Sequence, residues 1–204
     1  MAKRQSLLPT DALPTPQQRL TLFETARRLF RWDGYDEIGI DHFARPGDGL
    51  ARALSEGRLR RNFQGYTDDG ATALVGLGAS SISRFPQGYA QNASATSAYI
   101  RDVREGRFAT ARGHSFSQED LWRGRIIEQL MCEFRCDAQE ITALGARPEW
   151  VSGVLSGLAA TFDGVVRLTD TGLDIPPRSR PLTRVIARGV DAYDLSKAGH
   201  SPAF

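Results

Sequence analysis

Four short segments of this chain mix glycine, amide, aromatic and cationic side chains, the chemistry of a site that grips a large anionic ligand. They are Asp41-His42-Phe43-Ala44-Arg45-Pro46, Arg61-Asn62-Phe63-Gln64-Gly65-Tyr66-Thr67, Gly76-Leu77-Gly78-Ala79-Ser80-Ser81-Ile82-Ser83 and Tyr89-Ala90-Gln91-Asn92. In the first, Asp41 can orient the His42 imidazole or accept a proton, and Arg45 supplies a bidentate cation. In the second, Arg58, Arg60 and Arg61 lead into an aromatic-amide loop. Two readings of that run stay open: carboxylate capture with a flat ring stacked on Phe63 or Tyr66, or a solvated basic helix end favoured by the helix dipole. The neighbouring patches favour a site, so the candidate ligand-gripping residues are Asp41, His42, Arg45, Arg61, Gln64, Tyr66, Gln91 and Asn92.

Other patterns carry less. Cys132-x-x-x-Cys136 opens the three-cysteine pattern that holds a [4Fe–4S] cluster, but the third position is Gln139, which has no thiolate to give. Both cysteines are expected inside one amphipathic helix, a turn apart, as ordinary helix-face residues. His42, His114 and His200 are too dispersed for a zinc site. Gly76-x-Gly78 lacks the rest of a dinucleotide-binding fingerprint. No Gly-x-Ser-x-Gly elbow and no Walker sequence is present.

The elements that must position these residues are partly legible. Thr15, Pro16 and Gln18 form a capping box for a first helix with Leu20, Phe23 and Phe30 on its apolar face, ended by Asp33-Gly34. Tyr35 to Phe43 alternates as one strand, with Ile38 and Ile40 facing the same side. A helix followed by a strand is the unit of an α/β fold, which would place Asp41, His42 and Arg45 at a strand's C-terminal end. Asp48 caps a short helix through Leu59, broken by Gly57. Residues 61–70 read as loop, 72–82 as a buried glycine-containing strand, 92–105 as a helix and 107–115 as a linker. Beyond it, Ser117-x-x-Asp120 opens a helix carrying Leu121, Ile126, Leu130 and Phe134. Helices over 137–144 and 148–160, a hairpin around Val165–Leu168 and a last helix over 182–193 complete a winged-helix-like module.

Composition bounds the partners. With 204 residues, 41% hydrophobic and 25% charged, the chain can bury a real core. A formal charge of +2 argues against a dedicated nucleic-acid binder. Arginine makes up 24 of the 26 cations, a bias that suits carboxylate capture or reflects codon usage. No apolar run approaches the roughly 18 residues of a membrane span. Two cysteines make no disulfide framework, so a cytoplasmic setting is the expectation.

In their order and spacing, Glu37-x-Gly39-x-Asp41-His42-Phe43-Ala44-Arg45-Pro46, Arg61 to Thr67, Leu77-Gly78-x-Ser80-x-Ile82-Ser83 and Tyr89 to Asn92 resemble the oxygen-independent coproporphyrinogen III dehydrogenases. These are radical S-adenosylmethionine enzymes of haem synthesis. The resemblance covers most of the chain and implies an α/β plus α fold. Residues 1–112 would be the terminal helices and strands of a partial (β/α) barrel, and residues 113–204 a helical, winged-helix-like C-terminal domain covering the site. It implies a reaction in which coproporphyrinogen III propionates are oxidatively decarboxylated to vinyl groups, giving protoporphyrinogen IX. Ile82 matches a position that touches S-adenosylmethionine. The [4Fe–4S] ligands and the remaining cofactor contacts would lie in an N-terminal barrel half upstream of Met1, which therefore becomes the expected partner. On this view the chain alone is inactive. Residues 173–179 look inserted relative to the family. The competing expectation is a non-catalytic module that binds porphyrin or nucleic acid.

Overall fold

A computed structural model describes residues 13–193. The first helix, α1 (Pro16–Trp32), starts as its sequence dictates: the Thr15 hydroxyl accepts from the Gln18 amide and the Gln18 side chain accepts from the Thr15 amide. Gly34, at φ +78°, takes the left-handed position that ends it. No residue of α1 is buried. The helix is held instead by Glu37, which accepts from Arg27 and Arg31, and by Phe30 stacked on Phe43 at 4.6 Å.

The expected strand over Tyr35–Phe43 is a hairpin. β1 (Asp36–Ile38) pairs antiparallel with β2 (His42–Ala44), Ile38 opposite His42. Gly39 makes the reversal at φ +59°, and a Cβ there would lie 2.0 Å from the Tyr66 ring, so only glycine fits. The alternation in the sequence belongs to two strands, and Asp41 sits in their turn. Every strand pair among the described residues is antiparallel, and no barrel closes. The helix–strand order of the sequence does not produce a parallel unit here.

After α2 (Gly49–Ser55), capped by Asp48, the expected loop forms a second hairpin from β3 (Arg60–Arg61) and β4 (Tyr66–Thr67). Residues 72–81 are not a buried strand: Val75 is 65% and Leu77 83% exposed. The strand begins at Ile82. β5 (Ile82–Phe85), β6 (Gly88–Asn92) and β7 (Thr110–Ser115) make a three-stranded sheet, with α3 (Thr96–Arg104) between the last two. Asn92 thus ends a strand rather than starting a helix, and the expected linker is the sheet's third strand.

The helical part keeps the expected order of elements, though its last helix ends at Arg188 rather than running to Tyr193. The capping box of Ser117 and Asp120 starts α4 (Gln118–Glu133). β8 (Arg135–Asp137), α5 (Ala138–Ala143), α6 (Pro148–Thr161), β9 (Arg167–Thr169) and β10 (Gly172–Asp174) follow, then a 3₁₀ turn (Pro177–Leu182) and α7 (Thr183–Arg188). The hairpin gains β8 as a third strand, in the order β8-β10-β9. The stretch that looked inserted is part of the core: Leu173 lies in the central strand, fully buried, with Ile175 beside it. α7 docks on α4, and Ile186 within it and Val190 just beyond its end are both fully buried.

Two hydrophobic cores result. The larger joins Ile126, Leu130, Ile141, Val151, Leu155, Leu158, Leu173 and Ile186; the smaller joins Ile38, Ala44, Ala53, Leu59 and Tyr66. The cysteines divide between them. α4 ends at Phe134, left-handed at φ +58°, so Cys132 is helical while Cys136 lies in β8. Cys132 packs into the smaller core and Cys136 into the larger. A left-handed non-glycine residue costs roughly 1–2 kcal/mol. The Arg180 guanidinium, 4.2 Å from the centre of the Phe134 ring, helps offset that. No helix among the described residues is long and apolar enough to cross a membrane.

Candidate functional site

The sheet β5-β6-β7 gathers the strongest candidates. Its register sets Ile82 opposite Gln91 and Arg84 opposite Tyr89, and continues Gln91 to Arg112 and Tyr89 to His114. Side chains alternate along a strand, so these six share one face. On that face the Gln91 amide accepts from Arg112 Nε at 2.6 Å and donates to the Ser80 carbonyl at 2.9 Å. Phe63, from the β3–β4 turn, meets Tyr89 edge-on at 5.1 Å. The second, third and fourth polar-aromatic segments therefore converge on one cationic, aromatic surface.

The opposite face of the sheet is a clamp on the glycine loop. Asn92 Nδ2 donates to the carbonyls of Gly76 and Gly78 at 3.1 and 3.0 Å, and the Ser83 hydroxyl accepts from the Gly76 amide at 3.0 Å. A Cβ at Gly76 would lie 2.7 Å from the Ile82 carbonyl oxygen. The loop is thus fastened directly behind Ile82, and Asn92 acts through that loop.

The first segment serves a different place. His42 Nδ1 lies 2.8 Å from Asp41 Oδ1, and Asp41 Oδ2 accepts from Arg184 of α7 at 2.5 Å. The His42 ring meets Tyr66 edge-on at 5.1 Å. Tyr66 itself is buried; its hydroxyl donates to the Met131 carbonyl at 2.7 Å and accepts from the Ile40 amide at 3.1 Å. Burial pushes its phenol up to about 12. These bonds use the Tyr66 hydroxyl to join the β1–β2 hairpin to α4, which leaves it no free donor. Arg45 packs on Tyr35, 3.3 Å from its hydroxyl, and Gln64 is exposed at the tip of the β3–β4 turn. Arg61 lies over the Tyr66 ring at 5.6 Å.

Arg84 and Arg112 were not among the expected site residues, and His114 was weighed only as a zinc ligand. The spacing Ile82-x-Arg84 before the Pro86-Gln87-Gly88 turn was the available signal for the first. Reading residues 107–115 as a linker hid the other two. His114 meets Tyr193 and Asp120: the Tyr193 hydroxyl lies 3.0 Å from His114 Nε2 and 2.8 Å from Asp120 Oδ1. The Ser117 amide, with lesser help from Tyr193, holds the Asp120 carboxyl down at about 2.

A [4Fe–4S] cluster of the radical type needs three thiolates. The chain has two cysteines, both buried in separate cores, and burial pushes each thiol up to about 12. Among the described residues no group of three His, Cys, Asp or Glu side chains could hold a metal ion. These residues do not fit the cluster.

No protein-family model matches the chain. It is 63% identical over 204 residues to an oxygen-independent coproporphyrinogen III oxidase from Paracoccus denitrificans, covering all of this chain and 45% of the relative. It is 55% identical over 197 residues to one from Cereibacter sphaeroides, covering 96% of this chain and 44% of the relative. Among solved structures, coproporphyrinogen III oxidase (HemN) from Escherichia coli, described as a radical SAM enzyme, matches with TM-score 0.85 and 37% identity. That match covers 93% of this chain and 44% of the neighbour. The chain spans somewhat less than half the length of the curated relatives it matches. Along its whole length, it is similar to the C-terminal part of proteins named oxygen-independent coproporphyrinogen III oxidase.

Proposed function

We propose that this chain supplies one wall and the cover of the substrate pocket of an oxygen-independent coproporphyrinogen III oxidase. The observation that carries this reading is the 63% identity over an alignment that spans all 204 residues, together with the meeting of three sequence segments on one sheet face. The substrate would be coproporphyrinogen III, whose propionates are decarboxylated to vinyl groups in haem synthesis. S-adenosylmethionine and a [4Fe–4S] cluster supply radical chemistry in such enzymes, with the cluster held by residues outside this chain. Here Ile82 would touch S-adenosylmethionine, the aromatic surface of Phe63 and Tyr89 would carry the macrocycle, and the arginines would meet its carboxylates. Asp41, His42 and Tyr66 would position the hairpins and α7 around that surface. The remaining part of the longer relatives would be the partner, in a cytoplasmic setting.

The same reading divides the chain into the expected units, residues 1–112 and 113–204. β7 continues to Ser115, so the division falls best at Phe116, whose amide makes the sheet's last bond, to the Gln87 carbonyl. The order helix, strand, two helices, two strands from α4 to β10 supports a winged-helix-like cover.

A chimera tests the proposal. This chain replaces the corresponding C-terminal segment of the Paracoccus denitrificans relative, and anaerobic conversion of coproporphyrinogen III is followed by porphyrin fluorescence after oxidation. Turnover is expected. A folded, cluster-loaded chimera that forms no protoporphyrinogen IX would overturn it.

A further inference from the structure

An open pocket of about 260 Å³ lies between the β3–β4 hairpin, the loop over residues 69–74, β5 and α4. Arg60, Arg61 and Arg84 line it, and none of the three has a carboxylate partner among the described residues. The carboxylates nearby are already engaged. Glu128 and Glu140 each accept from Arg125 at 2.7 Å, and Asp69 caps the Ala71 amide at 2.8 Å. Arg60 and Arg61 are half-buried, and Arg61 Nε is cut off from solvent without any acceptor. Arg84 is exposed, and the carboxylates of Asp69, Glu128 and Glu140 share the lining, so the unmet demand is the Arg61 Nε–H: an N–H shut away from water without an acceptor is costly. The pocket therefore offers guanidinium donors that its own carboxylates do not engage.

We infer that this pocket binds a carboxylate carried on a flexible arm of the ligand. Guanidinium forks match planar carboxylates bidentately, and the arginines that line this pocket from β3 and β5 supply more than one such fork. Its position gives it a role. Arg84 follows Ile82 by two residues on the same sheet face, a rise of about 7 Å. If Ile82 lies beside the cofactor, as the functional reading has it, a carboxylate held at Arg84 is set apart from the reacting position, so the pocket would anchor a non-reacting arm while another is presented for reaction. Naming that arm a propionate of coproporphyrinogen III rests on the functional reading above; the anion site does not.

The test uses the whole chain with arginine side chains labelled for NMR. Glutarate, as a small dicarboxylate probe, should shift the Arg61 Nε–H resonance saturably, and Arg84→Gln should weaken that response roughly tenfold or more, as loss of a charged hydrogen bond does. Inorganic phosphate is titrated alongside. A resonance that ignores glutarate, or that answers phosphate alone, overturns the carboxylate site. A second arm titrates coproporphyrin III, with its tetramethyl ester as the uncharged control. Weaker porphyrin binding in Arg84→Gln, but not in Arg178→Gln, is expected. Unchanged porphyrin binding in Arg84→Gln overturns the anchoring role and leaves the functional reading standing. A glutarate response without porphyrin binding upholds the pocket and counts against the functional reading instead.

Discussion

The two hydrophobic cores of this chain are finished to different degrees. From α4 to α7, helices and a three-stranded sheet close around Ile126, Leu130, Leu155, Leu173 and Ile186, each 3% exposed or less. Upstream, the core is a few residues deep, and α1 has no fully buried residue. Leu22, Leu29 and Trp32 of that helix stand 60%, 57% and 88% exposed. Apolar side chains left in water contribute none of the burial energy that holds a helix in place. The difference teaches that residues 117–190 carry a self-sufficient core, while the region before them is fastened by a few specific bonds: Glu37 to two arginines, Tyr66 to α4, Asp41 to α7.

The sharpest way to break this contrast is a pair of truncations. Leu130→Ala should lower stability by about 2–5 kcal/mol, because it opens a cavity in a close-packed core. Leu22→Ala should change it by less than about 0.5 kcal/mol. Denaturant unfolding followed by circular dichroism checks both; equal losses would mean that α1 is buried after all.

Tyr66→Phe probes the bond between the regions. It strips partners from the Met131 carbonyl and the Ile40 amide, at a cost of about 1–3 kcal/mol. The same phenol predicts an alkaline weakness. Its folded value of about 12 exceeds the ordinary value near 10, so the unfolded chain gives up this proton first. Stability from Tyr66 is complete below about pH 10 and falls as pH rises toward 12. Tyrosinate absorbance during alkaline unfolding should show this, and Tyr66→Phe should remove that part of the fall.

The two thiols report on the cores separately. Cys132 sits in the smaller core and Cys136 in the larger, and both are suppressed as thiolates by burial. Local opening should expose Cys132 first, with labelling about tenfold faster, a difference of about 1.4 kcal/mol. Mass spectrometry of a labelling time course decides the order. Simultaneous labelling would mean that the two cores open as one.

A modest loss is expected at the start of α4. Ser117→Ala removes the box and should cost about 1 kcal/mol. Asp120, held at about 2 against about 3.9 in an unfolded chain, adds stability that is present above about pH 4 and lost as pH falls toward 2. An acid melt of the wild type against Asp120→Asn, whose slope should be shallower over that interval, measures it.

How much was legible depends on the range of the interactions involved. Thr15 with Gln18, and Ser117 with Asp120, bond across one turn, so the helix starts were readable. The strands here are two to six residues long, and such short alternation fits one strand or two equally well. Gly39 turned an expected strand into a hairpin, and a supposed linker became β7. Among the site residues, Arg61 and Ile82 could be proposed from composition and resemblance. That Tyr66 faces inward, or that Asn92 holds a loop, depends on carbonyls far away in the chain.

By itself, the sequence determined the capped starts of α1 and α4, the left-handed turn at Gly34, the want of a third cysteine and the likeness to one family's C-terminal part. Each of these follows from neighbouring residues or from identity in order. The tertiary structure alone decided which strands pair, which core each cysteine enters, and which polar side chains remain free to meet a ligand. Those outcomes turn on partners brought close only by folding, and a hydrogen bond already made within the protein is one that a ligand cannot use.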